Sequence, residues 1–162
     1  MSIIIQLLIC VCVFLFATVA AWYEGSAIIE DSLEWTYSTP FTNTFGIEIV
    51  SGKEIVLLDY FVYAAKFQPF FPILMLLSFI YIIGLVLFIV GRKNNDTSIK
   101  VSFAFGIVYL VASTLFINAT TFGGKLFFYI LLISSILTIL VTLCISILNG
   151  HGQKVYFVKS SE

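Results

Sequence analysis

Four stretches of this sequence contain no Asp, Glu, Lys, Arg or His: Ile3 to Tyr23, Phe70 to Val90, Val101 to about Ile117, and Leu126 to Leu148. Crossing about 30 Å of hydrocarbon takes roughly 20 apolar residues as a helix, because a helix satisfies its backbone donors and acceptors within its own segment. The expected fold is therefore an all-α membrane protein, a four-transmembrane-helix bundle forming one integral membrane domain over residues 1–162. Composition supports this, since 60% of residues are hydrophobic, only 10% are charged, and mean hydropathy is +1.10. Such values lie far from soluble globular usage. With a net charge of -1 and no basic cluster beyond Arg92 and Lys93, the chain lacks the electrostatic footprint of a nucleic-acid binder.

Orientation follows from the placement of Lys and Arg, which are retained on the cytoplasmic side near span ends. The loop 91–100 carries Arg92, Lys93 and Lys100 against one acid, Asp96, and the tail 149–162 carries Lys154 and Lys159. Both are expected in the cytoplasm, with the N- and C-termini. The first connection, 24–69, sets Lys53 and Lys66 against seven acids and is expected outside, as is the short connection bearing Lys125. Val19-Ala20-Ala21 has the small residues of a signal-peptidase site. The first run is nonetheless expected to stay as a helix, because no base precedes it and Trp22-Tyr23 suits an interfacial aromatic belt. Pro69 and Pro72 fit a helix start, Asp96, Thr97 and Ser98 offer an N-cap, and Gly123-Gly124 and Asn149-Gly150 are helix breakers.

The first connection is too small for an independent core. Leu33, Trp35 and Tyr37 alternate with Glu34, Thr36 and Ser38, the period of a half-buried strand that Pro40 ends. Ile47 to Val50 and Lys53 to Val56 flank Ser51-Gly52, which predicts a short β-hairpin. From Leu57 to Phe67, Asp59, Tyr63 and Lys66 share one helical face, and Leu58, Phe61, Val62 and Ala65 share another. That pattern predicts an interfacial helix whose apolar face meets the bilayer.

No ionisable side chain lies inside the four runs, which argues against proton relays, intramembrane metalloproteases and carboxylate-lined ion pathways. Cys10, Cys12 and Cys144 sit in apolar runs and read as small packing residues. His151 stands alone between two glycines, which makes neither a metal site nor a catalytic pair. No catalytic, cofactor-binding or metal-ligating residues are assigned, and no cofactor is expected. On the fourth run Ser134, Thr138, Thr142 and Ser146 recur every four residues as a hydroxyl stripe. Close helix packing is the first explanation and a polar conduit the second. Gly84 with Gly91, and Ser102 with Gly106, read as packing notches. Of the outer residues, Trp35, Tyr37 and Phe41 are the candidate partner contacts, since aromatics in a polar surface are preferred anchors, although packing over the outer ends of the helices calls for the same residues and is the first explanation.

The stretch Ala21-Trp22-Tyr23-Glu24-Gly25-Ser26, followed by Trp35-Thr36-Tyr37-Ser38-Thr39-Pro40, resembles the small YjdJ-type membrane proteins of bacilli. The resemblance implies a bacterial cell membrane and carries no assigned activity or site residues. The layout also resembles that of claudins, but the loop has neither a cysteine pair nor a Gly-Leu-Trp motif. The function expected is that of a non-enzymatic envelope or accessory protein acting through lipids, other membrane proteins or further copies of itself. The alternative is a passive small-solute pore or a helix-contributing subunit of a larger transporter.

Overall fold

A computed structural model describes the backbone of residues 2–159 and the side chains of residues 2–148. Six α-helices follow one another: α1 (Ile3–Gly25), extended by a 3-10 turn at Ser26–Ile29, α2 (Pro40–Thr44), α3 (Leu57–Phe67), α4 (Phe70–Lys93), α5 (Asn95–Thr114) and α6 (Phe122–Lys159). Among the described residues four helical segments are long and apolar enough to cross a membrane, namely Ile3–Ile29, Phe70–Lys93, Asn95–Thr114 and Phe122–Leu148. In the most apolar stretches of the first two, only 6% of residues are buried within the chain.

Local chemistry explains where the helices begin. Pro72 lies in the first turn of α4, where its missing N–H breaks no helical bond. The cap of α5 is Asn94, whose side-chain oxygen accepts the Thr97 N–H at 3.2 Å. That position is upstream of the cap expected at Asp96, Thr97 and Ser98. Gly123 and Gly124 fall inside the first turn of α6 and do not break it, with the Gly124 N–H reaching Thr121 Oγ1 at 3.3 Å. The α6 backbone also continues through Asn149-Gly150 to Lys159. Each such residue costs a helix interior only about 1 kcal/mol or less relative to Ala. The His151 side chain lies outside the described residues.

The chain divides into two compact units, residues 1–83 with 118–127, and residues 84–117 with 128–162. In the first, α3 packs on α1 around Ile28, Ile55, Tyr60 and Tyr63, with Ile29, Trp35 and Ile49 against them. Gly25 permits the approach, since a Cβ there would overlap the Tyr60 carbonyl. Gly123 does the same at the Ala65 carbonyl. Ring pairs Phe14–Phe79, at 6.1 Å between centroids, and Phe16–Phe71, at 5.9 Å, join α1 to α4. In the second unit Gly106 of α5 faces Ile139 of α6, and Ser135 Oγ donates to the Gly106 carbonyl at 2.7 Å.

The β structure expected in the first connection is absent among the described residues. At 47–56 the predicted hairpin is a coil around Glu54, whose carboxylate accepts the Ser51 N–H at 3.0 Å, the Ser51 hydroxyl at 2.8 Å and the Val50 N–H at 3.4 Å. Those backbone donors are taken locally, and an isolated two-stranded ribbon has too little of its own to compete. Gly52 does adopt the positive φ of +78° that its turn position suggested. Residues 32–38 form successive turns and not a strand, with Glu34 N–H bonded to Asp31 O, and Tyr37 and Ser38 N–H to Glu34 O.

Helix α3 has the bounds the sequence suggested. Its buried residues are Asp59, Tyr60, Tyr63 and Ala64, while Leu57 and Leu58 are exposed. The face carrying Asp59 and Tyr63 turns inward because the chain supplies partners for both polar groups.

Candidate functional site

The first connection holds most of the polar side-chain bonding in the first unit, and Asp59 is its centre. Asp59 is completely buried. Its Oδ1 accepts the Phe41 N–H at 2.9 Å, and its Oδ2 accepts the Thr42 N–H at 2.8 Å and the Thr42 hydroxyl at 2.5 Å. Thr42 Oγ1 in turn accepts the Val56 N–H at 2.9 Å. The first-turn N–H groups of a helix lack intrahelical partners, so a carboxylate from another helix caps α2. With three donors on its two oxygens and no exposed surface, Asp59 is a structural anchor and is not placed to take a proton from a substrate.

Two further links close the segment on α3. Tyr63 donates its hydroxyl to Asp31 Oδ2 at 3.1 Å. Burial first, then that hydrogen bond and the charges of Asp31 and Glu34, raise the Tyr63 pKa, so the phenol stays a donor. Lys66 Nζ donates to the Tyr37 carbonyl at 2.6 Å and to Ser38 Oγ at 2.9 Å, and Ser38 Oγ donates to Glu34 Oε2 at 2.6 Å. Glu54 has a pKa lowered to about 2, chiefly by the Ser51 N–H and hydroxyl that bind its charged form. No group of three or more His, Cys, Asp or Glu poised for a metal occurs among the described residues.

The three candidate aromatics separate. Trp35 points inward, with Nε1 donating to the Ile28 carbonyl at 2.8 Å and its ring against the Ile28 cluster. Tyr37 is 75% exposed and Phe41 40% exposed. Leu33, Phe45 and Val50 are also exposed on this segment. Sequence reasoning missed them, because their outward position depends on the turns and not on an alternating strand. A hollow of about 510 Å³, lined by Trp35, Asn43, Ile47, Glu48 and Val50 among others, opens in the same segment.

In the second unit the hydroxyl stripe turns onto its own helix. Thr138 donates to the Ser134 carbonyl and Thr142 to the Thr138 carbonyl, each at 2.7 Å, while Ser146 is exposed. The bond across to α5 comes from Ser135, beside the stripe and fully buried. Cys10, Cys12 and Cys144 are free thiols.

Comparison with known proteins finds no matching solved structure. The chain is 37% identical over 99 residues to the uncharacterized protein YjdJ of Bacillus subtilis (strain 168), a match covering 59% of this chain and 91% of that protein. A domain of unknown function, DUF4306, matches residues 4–91, which take in all but the first residue of α1, the whole first connection and all but the end of α4. Because that match spans more than half of the chain and includes the Trp22 and Trp35 stretches, the protein belongs to the DUF4306 family.

Proposed function

We propose that this chain is a multi-pass protein of the bacterial cell membrane that has no catalytic role. In this reading it acts through contacts of its 24–69 segment and helix surfaces with lipids, other envelope proteins or further copies of itself. The supporting observation is a division of labour. Four long helices carry apolar side chains on their surfaces, whereas most of the polar side-chain bonding between distant residues gathers in one segment. Apolar area left in water costs roughly 25 cal/mol per Å², so helices of this kind call for lipid or a partner.

The distribution of bases supports a topology with both termini and the α4–α5 junction in the cytoplasm and residues 24–69 outside. Thr138 and Thr142 donate to their own helix, which favours the contact reading over a water-conducting stripe. The uncharacterized YjdJ relative adds no activity.

Topology is tested with single cysteines placed at Lys53 and Lys93 in a chain whose native cysteines are alanine. A membrane-impermeant maleimide is expected to label position 53 on intact cells and position 93 only after permeabilisation; the reverse pattern, or release of the chain by carbonate, sinks the reading. Contact function is tested by the mass and composition of the complex extracted in mild detergent. A partner in fixed stoichiometry or a defined homo-oligomer supports it. A monomer that passes small solutes in vesicles, with flux altered by Thr138→Val, would instead favour the pore.

A further inference from the structure

A cleft of about 540 Å³ opens in the second unit, lined by one face of α4, the start of α5 and the middle of α6. Its α4 wall lacks side chains at Gly84 and Gly91, two turns apart. A Cβ at Gly84 would meet nothing within 4 Å, so this glycine opens space and does not relieve a close contact. The other walls are mainly Leu137, Val141 and Ile145 of α6. Three of the four hydroxyls that line the cleft are already committed: Ser98 donates to the Leu87 carbonyl at 2.9 Å, and Thr138 and Thr142 to their own helix at 2.7 Å, which leaves Ser102 as the fourth.

One charged side chain lines the cleft, Arg92 in the last turn of α4, and no acid does. Its guanidinium carbon stands 5.8 Å from the Phe88 ring centre. Stacking of this kind uses the face of the guanidinium and leaves its N–H edge for an anion. The seven helical steps from Gly84 to Gly91 rise about 10 Å, the length of the upper part of an acyl chain. An apolar slot of that depth ending at a single unopposed cation is complementary to a molecule with an apolar chain below a phosphate.

We propose that this cleft binds an anionic phospholipid of the leaflet in which Arg92 lies, its phosphate on Arg92 and an acyl chain between α4 and α6. The proposal rests on the multi-pass reading above, which makes that leaflet the cytoplasmic one. Basic pockets between membrane helices on that side are suited to anionic headgroups.

The test uses the full-length chain in phosphatidylcholine vesicles containing phosphatidylglycerol, with either lipid spin-labelled on its acyl chain. The fraction immobilised by the protein is read by electron paramagnetic resonance. Phosphatidylglycerol is expected to associate about fivefold more strongly than phosphatidylcholine, as one juxtamembrane cation of about 1 kcal/mol implies. Arg92→Gln should abolish most of that preference, and Gly84→Leu, which fills the slot, should reduce it although Arg92 remains. Lys93→Gln removes a neighbouring base that does not line the cleft, and should leave most of the preference in place.

Equal association in the native chain overturns the proposal. So does a preference unmoved by both Arg92→Gln and Gly84→Leu, or one lost equally with Lys93→Gln, which would be diffuse surface charge. A chain that fails to enter the vesicles overturns the multi-pass reading itself, and is told apart by flotation before any spin label is read.

Discussion

The first connection and the helices of the second unit handle polar groups in opposite ways. In the connection, side chains far apart in sequence bond to each other: Asp59 to Thr42, Tyr63 to Asp31, Lys66 to Ser38. In the second unit, Thr138 and Thr142 bond four residues back along their own helix, and Ser98 and Ser135 reach across only beside Gly91 and Gly106. The difference follows from the backbone. A helix closes its own hydrogen bonds and leaves a hydroxyl little else to do, whereas a non-helical segment needs side chains to satisfy its N–H groups. Polar substitutions should therefore cost more in the connection than in the helices.

The largest effect is expected at Asp59. Asp59→Ala leaves the Phe41 and Thr42 donors unpaired, and should destabilise the connection by about 3 kcal/mol. Thermal unfolding in detergent micelles, followed by Trp35 fluorescence and proteolysis of the connection, would register it, with helical circular dichroism nearly unchanged. A loss below about 1 kcal/mol would break the comparison, since it would mean the α2 N-terminus finds other acceptors.

Close approach gives the next pair. Gly25→Ala drives a methyl into the Tyr60 carbonyl, and should cost about 2–3 kcal/mol by the same unfolding measurement. At Gly106 the obstacle is the Ile139 side chain, 2.6 Å from an added Cβ, and a side chain yields more easily than backbone. Gly106→Ala should cost about 1 kcal/mol. Equal losses would show that the α5–α6 contact is as rigid as the α1–α3 contact.

Hydroxyls in the second unit should matter less. Ser135→Ala removes a buried interhelical bond, and about 0.6 kcal/mol is expected, while Thr138→Val should be near neutral because its bond stays within one turn. The smallest effect concerns pH. Glu54 has its folded pKa lowered to about 2, so the stability it lends the 50–54 turn is present above its ordinary value of 4.5 and is lost as pH falls from there through about 2. Amide exchange at Ser51 should quicken across that window, and Glu54→Gln should remove the dependence on pH. Glu54 is exposed enough that global stability should barely move.

The long apolar helices and the 57–67 helix were legible residue by residue, because hydrophobic length and the 3.6-residue period are local properties. The roles of Gly123, Trp35 and Ser135 were not. Gly123 looked like a breaker because nothing in its neighbourhood announces the Ala65 carbonyl that it meets. For Trp35 both packing and partner contact were open, and its Ile28 acceptor was not legible because it lies on the preceding turn, where an alternating pattern does not place it. Ser135 was passed over in favour of a regular stripe, although the Gly106 notch on α5 had been noticed.

By itself, then, the sequence determined that this chain makes four helices suited to hydrocarbon, joined early by an acidic segment with a short helix of its own. Those features depend on runs of side chains within one segment and on the high cost of exposing backbone groups in an apolar medium. Only the tertiary structure decided that the acidic segment uses turns in place of a hairpin, that α3 buries its Asp59 face, and which glycines are contacts. Each of those outcomes depends on a partner well removed in the chain, and the same local pattern with a different partner would have resolved the other way.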